Sequence, residues 1–254
     1  MRWDGISRSQ HPAHSGLWGR HRPWARPSDF VDAVHPKSLR LEPFPTLAGS
    51  SAARRYSGSL RTACAGIIRE QMGALHNKDP YTAAHSMKVE TYAGIIAKRI
   101  GLANADVEII RTAAALHDIG KLGIPSSILA KPGPLTGEEF EVMKQHSIIG
   151  AAILQPVKYL SCLVPLVLHH HEWYNGSGYP LGLQGEEIPF GARIIQVADC
   201  IDAMASPRSY KRGFSIGKTI CELERGSGIQ FDPQVAATAL NWLGHEPTRI
   251  APCL

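Results

Sequence analysis

An all-α domain is the fold class this sequence predicts, and three observations carry that prediction. From Ser59 onward apolar residues recur at helical spacing, Pro and Gly fall between those periodic stretches, and no segment alternates convincingly as a strand. Residues 1–55 differ: they hold six prolines, three tryptophans and four histidines with no period. They read as a mostly disordered leader, either a tail or misassigned translation start or a short partner-binding segment, ahead of a domain over residues 56–254.

The elements follow in order. A helix is expected over residues 60–77, one that would mediate dimerisation if its exposed face is apolar. The next, 82–100, aligns His85, Val89, Tyr92, Ile96 and Ile100 on one face and stops at Gly101. A third covers 106–117. Thr136 with Glu139 three residues on forms a capping box for a helix that reaches His146 and continues toward Leu154. Further helices are expected over 160–171 and 192–205, and another begins near Ser215. Asp232-Pro233 supplies a cap and a first-turn proline for the last, over 233–242.

Charge is unevenly placed in the 254 residues. The first 55 carry nine Lys/Arg against four Asp/Glu, whereas the rest carries eighteen of each, so the +5 surplus belongs to the leader. A neutral main domain argues against DNA or broad nucleic-acid binding, which needs a basic face on the folded part. Five scattered cysteines without CxxC spacing do not form a disulfide framework, and a reducing cytoplasm is the expected compartment. No run of 18 apolar residues or signal-peptide pattern is present, so no membrane span is expected.

Chemistry concentrates in a dispersed set of histidines and aspartates. A lone His85 on an apolar stripe reads first as a core histidine. "AALHDIGKLGIP", residues 114–125, changes that reading, because His117 and Asp118 lie side by side at the end of an apolar helix. Burying them together is costly unless something pairs with them, and a divalent cation does so most completely. His146, the triplet His169 to His171, and "VADCIDAM" with Asp199 and Asp202 extend the set. Imidazole with carboxylate suits iron, manganese or zinc better than calcium.

These residues resemble the HD-GYP subgroup of the HD metal-dependent phosphohydrolases. "DPYTAAHS", "LHDIGKLGIP", "ILAKPGPLTGEE", "MKQHSIIG", "HHEWYNGSGYP", "ADCIDAM", "SPRSYKR" and "GIQFDP" stand in family order over residues 79–233. The resemblance implies an HD-domain helical bundle with the HD-GYP C-terminal extension. It implies two divalent transition-metal ions, iron or manganese: His85, His117, Asp118 and Asp199 around one, His146 and His170 around the other, with Asp118 bridging. His171 is a conditional further ligand, above all in members with three metals. Those members carry a glutamate four residues before the first histidine; Tyr81 stands there in this chain, which favours two metals. His169 and Glu172 are implied to support the ligands.

The implied reaction is hydrolysis of cyclic di-GMP to pGpG or GMP. Lys121 would neutralise phosphate or assist the leaving oxygen. Arg208 and Lys211 would contact phosphate, as guanidinium and ammonium groups do, although a structural salt bridge is the rival reading for Arg208. Gly176, Gly178, Tyr179 and Pro180 would form a loop beside the substrate, and residues 129–135 a lip over the groove. Asn175 stands where the family has aspartate; it keeps an acceptor and loses a charge. Two alternatives stay open: hydrolysis of another cyclic dinucleotide, and a low-activity module that binds cyclic di-GMP or a diguanylate cyclase (GGDEF) partner. Metal identity, end product, activating signal and oligomeric state are not legible.

Overall fold

A computed structural model of the chain describes Gly73, residues 80–206 and residues 213–245. All of these lie in the compact unit Glu42–Leu254. The leader, Arg208, Lys211 and, apart from Gly73, the helix expected over 60–77 fall outside the described residues. So does the Tyr81 side chain.

Helix α1 (Pro80–Ile100) buries His85, Val89, Tyr92 and Ile96 of the expected stripe, together with Ala93 and Ala97, whereas Ile100, at the helix end, is only half-buried. Gly101 ends it at φ 92°, donating its N–H to the Lys98 carbonyl; that left-handed conformation is cheap only for glycine. Helix α2 (Asn104–Leu116) follows at once and packs along α1, with Val107, Ile110, Ala113 and Ala114 inward. It ends on His117, still in right-handed conformation (φ −55°, ψ −34°), so the His-Asp pair projects from the helix end into a 3-10 turn, Ile119–Gly123.

A short helix α3 (Ser126–Leu129) leads to α4 (Gly137–Leu154). Both halves of the Thr136 and Glu139 capping box are formed: Glu139 N–H donates to Thr136 Oγ1 at 3.2 Å, and the Thr136 N–H donates to Glu139 Oε2 at 2.7 Å. Such a cap stabilises a helix start by about 1 kcal/mol. The 3-10 turn after His117 crosses α4 with backbone against backbone: a Cβ built on Gly120 would lie 1.8 Å from the His146 carbonyl oxygen and 2.5 Å from Gly150 N.

The helix expected over 160–171 is divided. A 3-10 segment, Lys158–Leu163, gives way to α5 (Val164–Leu168), with Pro165 in its first turn, where a missing N–H costs nothing. The backbone then leaves the helix at His169 (φ −104°, ψ 10°), and Glu172 N–H closes a turn onto the His169 carbonyl. The three histidines thus stand on a turn.

Helix α6 (Phe190–Ala205) is the buried spine: Ile194, Ile195, Val197, Ala198 and Ile201 have no exposed surface, and α1, α2, α5 and α8 all pack on it. Helix α7 (Ile216–Gly226) and α8 (Pro233–His245) close the bundle, with Trp242 against Tyr92 at 5.4 Å between ring centroids. Asp232 caps α8 through the N–H groups of Gln234 and Val235 and pairs with Arg193 at 2.5 Å, tying α8 to α6. Among the described residues only isolated bridges, Asn175 with Gln184 and Ser227 with Phe231, resemble β-structure.

Gly120→Ala is expected to lower stability by about 2–3 kcal/mol, because backbone atoms of α4 must yield to the methyl group. Gly137→Ala, with nothing within 4 Å of its Cβ, is the control and should be neutral or slightly stabilising in the same thermal melts.

Candidate metal centre

Five elements deliver their polar residues to one place. The first half of α1 brings His85, the end of α2 His117 and Asp118, the middle of α4 His146, the turn after α5 His170 and His171, and α6 Asp199. His85, His117, Asp118, His146 and His170 are all buried. Ligand atoms of His85, His117 and Asp199 lie within 4.8 Å of one another, as do those of His146, His170 and His171, and those of His117, Asp118 and His170. Sequence order alone left His171 conditional; the fold groups it with His146 and His170.

Asp118 stands between the two groups. Its Oδ2 is 3.4 Å from His117 Nε2 and 4.0 Å from His85 Nε2, while Oδ1 is 3.6 Å from His146 Nε2. Each oxygen therefore faces a different histidine set. Burial alone would raise this carboxyl, but the Lys121 ammonium and the His117 imidazole outweigh it and hold Asp118 well below the usual carboxylate range. Lys121 Nζ donates to Oδ2 at 2.7 Å, so the lysine stands at the centre.

The donor set fits divalent cations. His117, His146 and His170 each point Nδ1 at the carbonyl three residues earlier, Ala114, Met143 and Val167, at 2.7 Å in every case. A carbonyl only accepts, so the proton sits on Nδ1 and the Nε2 lone pair is left facing the cluster. Burial lowers the pKa of His146 and lowers that of His170 well below the ordinary histidine range, while burial and the nearby His146 lower His171 to about 3, keeping these imidazoles neutral. Asp199 is likewise ionised: burial would raise it, and the neighbouring His85 outweighs that and lowers it.

His85 differs. Its Nδ1 meets Asp202 Oδ2 at 2.6 Å and its Nε2 meets Asp199 Oδ1 at 3.1 Å. Burial opposes the imidazolium, yet the two carboxylates prevail and raise His85 to about 9.

The glycine loop lies against this centre. A Cβ on Gly178 would fall 2.1 Å from Trp173 N and 2.5 Å from the His171 carbonyl oxygen, and Gly176 has φ 83°, so both positions need glycine. Tyr179, before the cis Tyr179-Pro180 bond, stacks on His171 with centroids 4.8 Å apart, and Lys144 Nζ lies 5.7 Å from the same ring. Glu172 does not aim at the ligand atoms. Its buried carboxylate accepts from Leu181 N–H at 2.7 Å and Leu183 N–H at 3.1 Å and so holds the far side of the loop. His169 is buried 3.5 Å from that carboxylate, a supporting position. Asn175 Oδ1 accepts from Ser177 N–H at 3.0 Å and Ser177 Oγ at 2.6 Å, a turn that needs an acceptor and no charge.

Asp202 is the residue that sequence reasoning left without a role. The available signal was its spacing of three from Asp199, which puts both carboxylates on one face of α6.

The HD domain family profile matches residues 70–235, so the chain belongs to the HD domain family, and its GYP loop and relatives place it in the HD-GYP subgroup. It is 42% identical over 163 residues to the cyclic di-GMP phosphodiesterase response regulator RpfG of Xanthomonas campestris, covering 63% of this chain and 43% of that protein. It is 44% identical over 167 residues to a cyclic di-GMP phosphodiesterase of Thermotoga maritima, covering 64% and 45%. Against 3'3'-cGAMP-specific phosphodiesterase 3 of Vibrio cholerae it is 38% identical, covering 68% and 38%. The chain thus spans less than half the length of these relatives. A HDG"Y"P protein from Bdellovibrio bacteriovorus shares the fold with TM-score 0.54 at 17% identity, over 76% of this chain and 62% of that one. No described helix is long and apolar enough to cross a membrane.

Two outcomes follow. Asn175→Asp should leave metal content unchanged, since the turn at Ser177 survives, and alter turnover by less than about threefold. Because His85 titrates at about 9, it is protonated at pH 7, and a cation taken up at its Nε2 must displace that proton. Adding Mn(II) to weakly buffered metal-free protein at pH 7 should release at least one proton per chain, read with an indicator dye.

Proposed function

We propose that this chain is a metal-dependent phosphodiesterase that hydrolyses cyclic di-GMP to pGpG or, after a second cut, GMP. The observation that carries the reading is the Asp118 carboxylate, one oxygen toward His85 and His117 and the other toward His146. His85, His117, Asp118 and Asp199 would hold one divalent cation; Asp118, His146, His170 and His171 would hold a second. Neutral imidazoles and ionised carboxylates suit iron or manganese. Bound cations of this kind supply activation of water and neutralisation of phosphodiester charge.

The chain's own groups do the rest. Lys121, 2.7 Å from Asp118, is in reach of a phosphate oxygen at the centre and would offset charge as the 3' oxygen leaves. Gly178 lets the loop backbone run close to His171, Gly176 lets the loop turn at positive φ, and Tyr179 offers an aromatic surface for a guanine base. Arg208 and Lys211 would contact phosphate, as bidentate and point-charge donors. A related reading, hydrolysis of 3'3'-cGAMP, takes support from the Vibrio relative of that specificity. It uses the same centre and differs in one base.

Anaerobically purified protein loaded with Fe(II) or Mn(II) should convert cyclic di-GMP to pGpG or GMP on chromatography, with 3'3'-cGAMP as the competing substrate. Two bound equivalents without turnover of either substrate would leave only a binding module. Asp118→Ala should lose at least one equivalent and all turnover. Lys121→Ala should retain both and slow the reaction by about 10²-fold.

A further inference from the structure

Three of the cluster histidines take their orientation from their own stretch of chain, because the carbonyl that accepts each Nδ1–H lies three residues earlier. His85 takes its orientation from another helix. Its Nδ1 partner is Asp202 Oδ2, 2.6 Å away on α6 and 117 residues later in the sequence. Asp202 is as buried as the ligands, with 1% of its side chain exposed, so its charge must be offset locally. Two groups do so. Ser206 Oγ donates to Asp202 Oδ1 at 2.8 Å, and Lys88 Nζ stands 3.6 Å from the same oxygen while donating to Ser206 Oγ at 3.0 Å. Lys88 lies one helical turn after His85 on α1, and Ser206 caps α6 by donating its N–H to the Asp202 carbonyl.

We infer that Asp202, held by Lys88 and Ser206, is a positioning residue that sets how tightly the His85, His117, Asp118 and Asp199 group holds its cation. A carboxylate on Nδ1 fixes the ring so that Nε2 faces Asp199 and Asp118, and it makes that nitrogen a stronger donor. The His146, His170 and His171 group has no such carboxylate among the Nδ1 contacts of His146 and His170, which are main-chain carbonyls. The network therefore acts on one cation and not on the other. The inference rests on the two-cation reading of the centre but not on the identity of the substrate.

The test is a titration of full-length metal-free protein with Mn(II) alone against a competing chelator, with no nucleotide present. Asp202→Asn keeps an oxygen that can accept from Nδ1–H and removes only the charge. It should weaken one of the two Mn(II) equivalents by about 10- to 100-fold and leave the other unchanged. At one equivalent or less the variant should also favour isolated Mn(II) in electron paramagnetic resonance, where the parent forms coupled pairs at two. Ser206→Ala, a milder change, should weaken the same equivalent by about two- to tenfold, and it carries the test if Asp202→Asn does not fold. Two equivalents bound as in the parent by both variants, or both equivalents weakened alike, would overturn the inference. Because binding is read without turnover, a protein that binds normally but hydrolyses nothing would refute the proposed reaction and leave this inference standing.

Discussion

A carboxylate with almost no solvent around it organises this protein. Asp118 is 3% exposed, and its charge persists only because Lys121 and the neighbouring histidines surround it. That environment depends on where α2 ends. Had the helix continued through His117, the 3-10 turn that brings Gly120 onto the backbone of His146 could not form, and the two histidine groups would have no shared carboxylate between them. Glycine at 120 is thus an electrostatic requirement as much as a packing one, since any side chain would push the α4 histidine away from Oδ1.

The same economy runs through the rest of the fold. α6 is apolar over most of its surface and polar along the Asp199 and Asp202 edge, so one helix serves as core and as ligand support. The glycine loop is held from its far side by Glu172, whose main-chain carbonyl also accepts from Gln196 on α6. It is held from another side by Tyr174 and Asn175, whose N–H groups donate to the carbonyls of Gln230 and Ile229 at 3.1 and 2.9 Å. A loop fixed by backbone hydrogen bonds can lie close to charged ligands without relying on a core of its own.

Much of this was legible in the sequence, for reasons that are local. The stripe His85, Val89, Tyr92, Ile96 has a helical period, Thr136 and Glu139 spell their own cap, and the ordered histidines marked the centre. The helix expected over 160–171 was too long because apolar periodicity passes through a proline-started segment without registering the 3-10 geometry before it. Glu172 and Asp202 were harder to assign because their roles come from partners 9 to 117 residues away, and spacing along a chain does not encode which helices cross. Asn175 was readable as a tolerated departure, because an acceptor two residues before Ser177 closes the same turn with or without charge.

The central claim is that one buried carboxylate joins two cation sites. Anomalous diffraction at the manganese edge from crystals of the Mn(II)-loaded protein tests it most directly. Two peaks about 3.5–4 Å apart are expected, with one oxygen of Asp118 on each, His85, His117 and Asp199 around the first, and His146, His170 and His171 around the second. A single peak, or a pair in which Asp118 touches only one metal, would contradict the account.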